Sequence, residues 1–179
     1  MSRFSARGCL LFVVSGFGVG YLAGPKGTYG SLLGVGYYFL LRQTGTPVSC
    51  FGVAVVGILA TIWITGRAEK FFGRKDPEQI ILDEIICFPM AMVGSELVFW
   101  QLSGNGYFEN HPLVFLSNLA IVFVIYRVLD ILKPSFLGRV QRLSGGWGIV
   151  LDDLLAAICT TVISVVLLFI WFWVKNLSA

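Results

Sequence analysis

Charge is scarce in this chain. Asp, Glu, Lys and Arg make up 13% of the 179 residues, apolar side chains make up 56%, and the mean hydropathy is +0.82. A soluble domain carries about 25% charged residues, so this balance excludes an ordinary soluble globule and indicates a membrane protein. Histidine occurs once, at His111. The four cysteines, Cys9, Cys50, Cys87 and Cys159, form no CxxC pair, which argues against zinc or a redox couple. The residues six positions after them are Ser15, Val56, Val93 and Val165, never the arginine that a Cys-x5-Arg loop needs. They read as small hydrophobes. An Asp-x-Asp nucleophile pair of the haloacid-dehalogenase type is missing too. So is the Walker pattern, and "GFGVG" follows no credible strand, so nucleotide binding is not supported. No nucleic-acid partner is expected.

What is present is a series of apolar stretches: Cys9–Leu22, Tyr29–Leu41, Cys50–Thr65, Ile85–Trp100, Leu113–Ile125 and Leu154–Val174. The last carries no charge and rises about 31 Å as a helix at roughly 1.5 Å per residue, matching a hydrocarbon core of about 30 Å. Several others are shorter than a full span, and the glycine-rich first one is expected to be re-entrant or interfacial. No secretory signal with a small-residue cleavage site is evident, so the N-terminus is read as part of the mature protein. With no repeat, long linker or low-complexity tract, the expected fold is all-α, a polytopic membrane helical bundle forming one unit over residues 1–179. No oligomeric state follows from it.

Basic residues orient the bundle. Arg67, Lys70, Arg74 and Lys75 form one group, Arg127, Lys133, Arg139 and Arg142 a second, and Arg3, Arg7 and Lys26 a third. By the positive-inside rule all three face the cytoplasm. Gln101–Pro112 lacks Lys and Arg and reads as an outer loop, sharing its side with the turn at Arg42–Ser49 and the C-terminus; Arg42 and Lys175 run singly against the rule. Every acid except Glu96 and Glu109 is then cytoplasmic. His111 falls outside, so chemistry that needs an inner-face histidine has no candidate.

The cytoplasmic acids form three clusters. In "ILDEIICFPMAM", Asp83 and Glu84 open an apolar stretch, where a helix dipole alone stabilises acids by about 0.3–1 kcal/mol. In "YRVLDILKPSFLGRV", Arg127, Asp130, Lys133 and Pro134 recur at helical spacings. An Arg127–Asp130 salt bridge is the plain structural reading, but Asp130 lies within "IVFVIYRVLDIL", and a charge at membrane depth costs a few kcal/mol and favours a functional site. In "SGGWGIVLDDLLAA", Asp152 and Asp153 are adjacent carboxylates that repel each other unless a cation intervenes. Magnesium suits such oxygen ligands and shares itself with substrate phosphate. Five carboxylates with Arg127 and Lys133 on one membrane face have the composition of a site for metal-assisted chemistry on a phosphate. The block "GPKGTYGS", Gly24–Ser31, is either an anion-binding turn assisted by the Thr28 and Ser31 hydroxyls or a glycine turn with close helix packing.

These blocks, "GPKGTYGS", "ILDEII", "YRVLDILKP" and "GGWGIVLDDLLAA", in this order and at these separations, resemble the phosphatidylglycerophosphatase A family of bacterial membrane phosphatases over about Gly16 to Ala157. The resemblance implies magnesium-dependent hydrolysis of phosphatidylglycerophosphate to phosphatidylglycerol and inorganic phosphate, at a multi-pass site on the cytoplasmic face of the bacterial inner membrane. Carried over by motif, Asp83, Glu84, Asp130 and Asp153 are the catalytic candidates, and with Asp152 they form the metal set. Thr28, Ser31, Arg127 and Lys133 are the substrate-binding candidates. Lys26 stands where the family usually has proline, Cys87 where it has a small glycine, and Ser144 where some members carry histidine. Two other readings stand beside this one: a small ion transporter or channel, because acids within a membrane also mark cation pathways, and a phosphatase acting on another lipid phosphomonoester.

Overall fold

The structure, a computed structural model, describes residues 6–103, 107–133, 140 and 143–177. Arg3, Pro134, Arg139 and Arg142, which entered the sequence reading above, lie outside the described residues, as do the side chains of Glu109 and Lys175. The described residues contain helices and no strand: α1 Ala6–Val14, α2 Lys26–Arg42, α3 Pro47–Phe72, α4 Leu82–Ser103, the single turn α5 Tyr107–Asn110, α6 Pro112–Leu132 and α7 Gly146–Leu177. A 3-10 turn, Val19–Tyr21, lies between α1 and α2.

Local chemistry sets the ends of these helices. At the start of α3, Thr46 accepts from the Ser49 backbone N–H while the Ser49 hydroxyl oxygen accepts from the Thr46 N–H, a reciprocal cap that satisfies two otherwise orphaned donors. Pro47 and Pro112 occupy first-turn positions, where the missing N–H costs nothing. Gly73 closes α3 with a φ of 64°, a left-handed conformation that glycine adopts without penalty. Helix α3 runs well past the apolar stretch seen in the sequence, so Arg67 and Lys70 are helical rather than in a loop. Their aliphatic stems extend along the helix, and the Arg67 guanidinium lies 3.6 Å from the centroid of the Trp63 ring.

Among the described residues, three helices, α3, α6 and α7, are long and apolar enough to cross a membrane. At nine residues, α1 is too short to do so, which fits an interfacial or re-entrant segment. Large apolar side chains face outward on the spanning helices: Val56, Leu59 and Trp63 on α3, Leu116 and Val124 on α6, Val162, Val166 and Ile170 on α7. Such an exposed belt is a liability in water and the expected surface in lipid.

Helix α4 is the centre of the bundle, packed against α2, α3 and α7. Phe88, Ala91, Met92 and Val93 of α4 are fully buried with Tyr38 of α2, Tyr126 of α6 and Ala157 of α7. Small residues let the backbones approach. A side chain at Gly146 would strike the Ile62 carbonyl, so the start of α7 lies directly on α3. Van der Waals packing of this kind substitutes for hydrophobic driving force where the surroundings are themselves apolar. Toward the other end of α4, Glu96 is buried and its Oε1 lies 3.6 Å from Nε of Arg42, whose guanidinium also sits 5.0 Å from the Phe115 ring centroid. Arg42, at the end of α2, is therefore neutralised within the bundle.

Candidate active site

Because successive helices run in alternating directions, the starts of α2, α4 and α7 and the end of α6 meet at one end of the bundle. There they enclose a pocket of about 650 Å³. Asp83 and Glu84 from the first turn of α4, Asp130 from the last turn of α6, and Asp152 and Asp153 from the second turn of α7 all line it, together with Lys133. Residues up to 70 positions apart thus share one cavity. His111 caps the opposite end of α6, about 28 Å of helix away from Asp130 at roughly 1.5 Å per residue.

The two inner-face cations expected at the site hold different places. Lys133 ends α6 in a left-handed conformation, φ 38°, with its N–H on the Leu129 carbonyl. Its Nζ donates to Asp152 Oδ2 at 2.8 Å. Burial by itself pushes an ammonium toward the neutral form, but the bond it donates to Asp152 and the charges of Asp152, Asp153 and Asp130 outweigh it and hold Lys133 above its ordinary range. Its ammonium lines the pocket. Arg127 lies behind the lining. Its Nη1 is 2.7 Å from Asp130 Oδ2 and 3.5 Å from Glu84 Oε1, and it donates to the Ser31 hydroxyl oxygen at 3.4 Å. The Arg127–Asp130 salt bridge therefore forms, and it also recruits Glu84 from α4.

The "GPKGTYGS" block is helix rather than turn from Lys26 onward. The Ser31 hydroxyl donates back to the Gly27 carbonyl, and Thr28 lies on the first turn, outside the pocket lining. The glycines serve close packing: a side chain at Gly27 would strike Glu84 and Arg127, and one at Gly30 would strike the Glu84 carboxylate. Both positions keep α2 bare so that the Glu84–Arg127 pair fits between α2 and α6.

Four buried carboxylate oxygens in the cluster have no hydrogen-bond partner: Asp83 Oδ1, Glu84 Oε2, Asp152 Oδ1 and Asp153 Oδ2. An ionised carboxylate buried without compensation costs several kcal/mol. One lysine and one arginine do not neutralise five acids, so the donor set suits a further cation. Among the described residues, no three of His, Cys, Asp and Glu close on a single point as a complete metal cage.

The sequence reading did not single out three residues of this pocket as site residues: Asp76, Glu78 and Lys26. Lys26 Nζ lies 2.9 Å from Glu78 Oε2, joining the start of α2 to the loop before α4 across the rim. Glu78 is held below its ordinary carboxylate range by the bond from Lys26 and the nearby charges of Lys26 and Arg74. Asp76 and Glu78 lie in the charged run "GRKDPEQ", which a solvated loop would carry equally well, and Lys26 lies in the glycine block, with no local pattern to join the two.

Comparison with known proteins agrees with this geometry. The family model described as Phosphatidylglycerophosphatase A matches residues 12–168. Phosphatidylglycerophosphatase A of Escherichia coli is 28% identical over 145 residues, 80% of this chain and 74% of that protein. The Haemophilus influenzae protein of the same name is 26% identical over 165 residues, covering 91% of each. A Bacteroides thetaiotaomicron protein, provisionally named a phosphatidylinositol-3-phosphatase, is 27% identical over 152 residues, 83% of this chain and 86% of that one. No solved structure matches. With the family model covering most of its length and the five acids gathered in one pocket, the chain belongs to the phosphatidylglycerophosphatase A family and is a lipid phosphatase of the membrane.

Proposed function

We propose that this chain hydrolyses phosphatidylglycerophosphate to phosphatidylglycerol and inorganic phosphate, with magnesium, at the cytoplasmic face of a bacterial inner membrane. The observation that carries the reading is the convergence of Asp83, Glu84, Asp130, Asp152, Asp153 and Lys133 on a single pocket at one end of a helical bundle. The positive-inside distribution of Lys70, Arg74 and Lys75 supports a cytoplasmic location for that end.

In this reading one or two of Asp83, Asp152 and Asp153 would hold the ion through their unpartnered oxygens, water and substrate oxygen filling its other positions, with Glu84 and Asp130 completing the acidic wall. When bound, magnesium supplies Lewis-acid polarisation of the phosphate. Lys133 draws in the terminal phosphate, exchanging part of its contact with Asp152 for a phosphoryl oxygen. Arg127 positions Glu84 and Asp130 rather than reaching the substrate. Water adds to phosphorus as the ester P–O bond breaks; a free carboxylate oxygen takes one proton from the water, and the carboxylic acid so formed passes it to the departing glycerol oxygen, which leaves as an alcohol. Buried carboxylates without partners suit that proton transfer.

The Bacteroides relative's name favours a second reading, in which the same chemistry acts on a phosphoinositide. Phosphate release by purified protein from a panel of lipid phosphates, with magnesium and with chelator, decides between them. Release from phosphatidylglycerophosphate that stops with chelator is the expected result. Preferential release from phosphatidylinositol 3-phosphate would replace the substrate, and full activity in chelator would remove the metal.

A further inference from the structure

We propose that Lys26 is a specificity residue of this pocket, binding the phosphodiester group of a lipid whose terminal monoester phosphate is held at Lys133. The assignment rests on the substrate reading above. Among the described residues that line the pocket, Lys26 and Lys133 are the two cations. They sit in unlike settings. Lys133 faces a buried carboxylate, Asp152, in the acid cluster. Lys26, 24% exposed in its side chain against 35% for Lys133, is bound to Glu78, whose side chain is 73% exposed, so the acid of this second pair, not the exposure of the lysine itself, marks the rim.

Tyr21 and Leu22 line the same pocket just before Lys26, and each is 55% exposed. Phe17, in the same segment, is 70% exposed. Apolar side chains open to the surroundings beside a charged pocket mark the side on which acyl chains lie. A lipid entering across them presents its charges in a fixed order, because its diester phosphate stands between the acyl-bearing glycerol and the terminal phosphate. The cation next to the apolar rim therefore meets the diester, and the cation among the acids meets the monoester. Glu78 holds the Lys26 ammonium over the mouth until a phosphate oxygen replaces it. An exposed ion pair contributes little stability, so the exchange meets little resistance.

Steady-state hydrolysis of phosphatidylglycerophosphate by the full chain in mixed micelles tests this, using Lys26→Gln, Lys26→Arg and two inhibitors. Phosphatidylglycerol retains the diester and lacks the monoester; inorganic phosphate resembles only the monoester. Lys26→Gln is expected to raise KM about five-fold or more with kcat within about two-fold, the pattern of lost ground-state binding. It should weaken inhibition by phosphatidylglycerol by a similar factor while shifting inhibition by inorganic phosphate by less than about two-fold, and Lys26→Arg should restore KM. A fall in kcat with KM unchanged, equal weakening of both inhibitors, or no change overturns the assignment and leaves the substrate reading standing. No phosphate release from this lipid by the unsubstituted protein overturns the substrate reading and the assignment together.

Discussion

Asp153 carries a buried oxygen that no protein donor satisfies, and it sits beside Asp152, which has Lys133. The two neighbours therefore have different tasks: Asp152 anchors a cation of the protein, and Asp153 is left for what enters the pocket. Replacing Asp153 with Asn keeps the shape and removes the charge. Phosphate release should fall by about 10²-fold or more, while thermal unfolding in detergent shows a Tm unchanged or raised, since an uncompensated buried charge has been deleted. Full activity of Asp153→Asn would reject its catalytic assignment. The candidacy of Asp153 was legible in the sequence, because paired acids at the edge of an uncharged span have few structural reasons to exist. The position of Arg127 was not. Its spacing to Asp130 announced the salt bridge, but Glu84 and Ser31 arrive from α4 and α2, and no local pattern encodes which side of the acids the guanidinium takes.

The elements are positioned by what α2 leaves out. Gly27, Gly30 and Gly34 face α4, and a side chain at Gly30 would enter the space of the Glu84 carboxylate. Gly36, on the same helix, has nothing nearby. Gly30→Ala should lower activity at least about ten-fold and destabilise the protein by about 1–3 kcal/mol, the usual range for overpacking. Gly36→Ala, open to its surroundings, should keep full activity and gain slightly from alanine's higher helix propensity. Phosphate release and detergent thermal melts on both variants give the comparison; equal behaviour would mean that α2 does not set the distance to Glu84. Helix existence was readable from the apolar stretches, yet helix ends were not. Arg67 and Lys70 continue α3 and Lys26 opens α2 because tertiary packing and long aliphatic stems extend helices beyond their apolar segments. The Lys26–Glu78 contact joins residues 52 positions apart, a separation at which periodicity is silent.

For the molecule as a whole, the alternation of helix directions places Lys75 and the pocket at one end and Thr44 at the other. Single cysteines at these two positions, in a background with Cys9, Cys50, Cys87 and Cys159 replaced, should react differently with a membrane-impermeant maleimide. In right-side-out cells or spheroplasts Thr44→Cys is expected to label and Lys75→Cys to stay protected until the membrane is opened. The reverse pattern would turn the pocket outward and overturn the proposed cytoplasmic orientation. That the bundle spans a membrane was evident from composition. That its acids meet in one place could be proposed from sequence only through a shared membrane face, which limits their depth and says nothing of their lateral separation; the packing of α4 against α2, α3 and α7 settles it.

Helix α7 is about 48 Å long at roughly 1.5 Å per residue, longer than a hydrocarbon core of about 30 Å. With its uncharged segment placed across the core, as its length allows, its first two turns, with Asp152 and Asp153, would stand within the layer of phosphates and glycerols. An ester delivered to this catalyst travels sideways through two dimensions and never crosses bulk water. Turnover consequently follows the mole fraction of the ester within the leaflet, and inert lipid slows it by surface dilution even when total substrate is held constant.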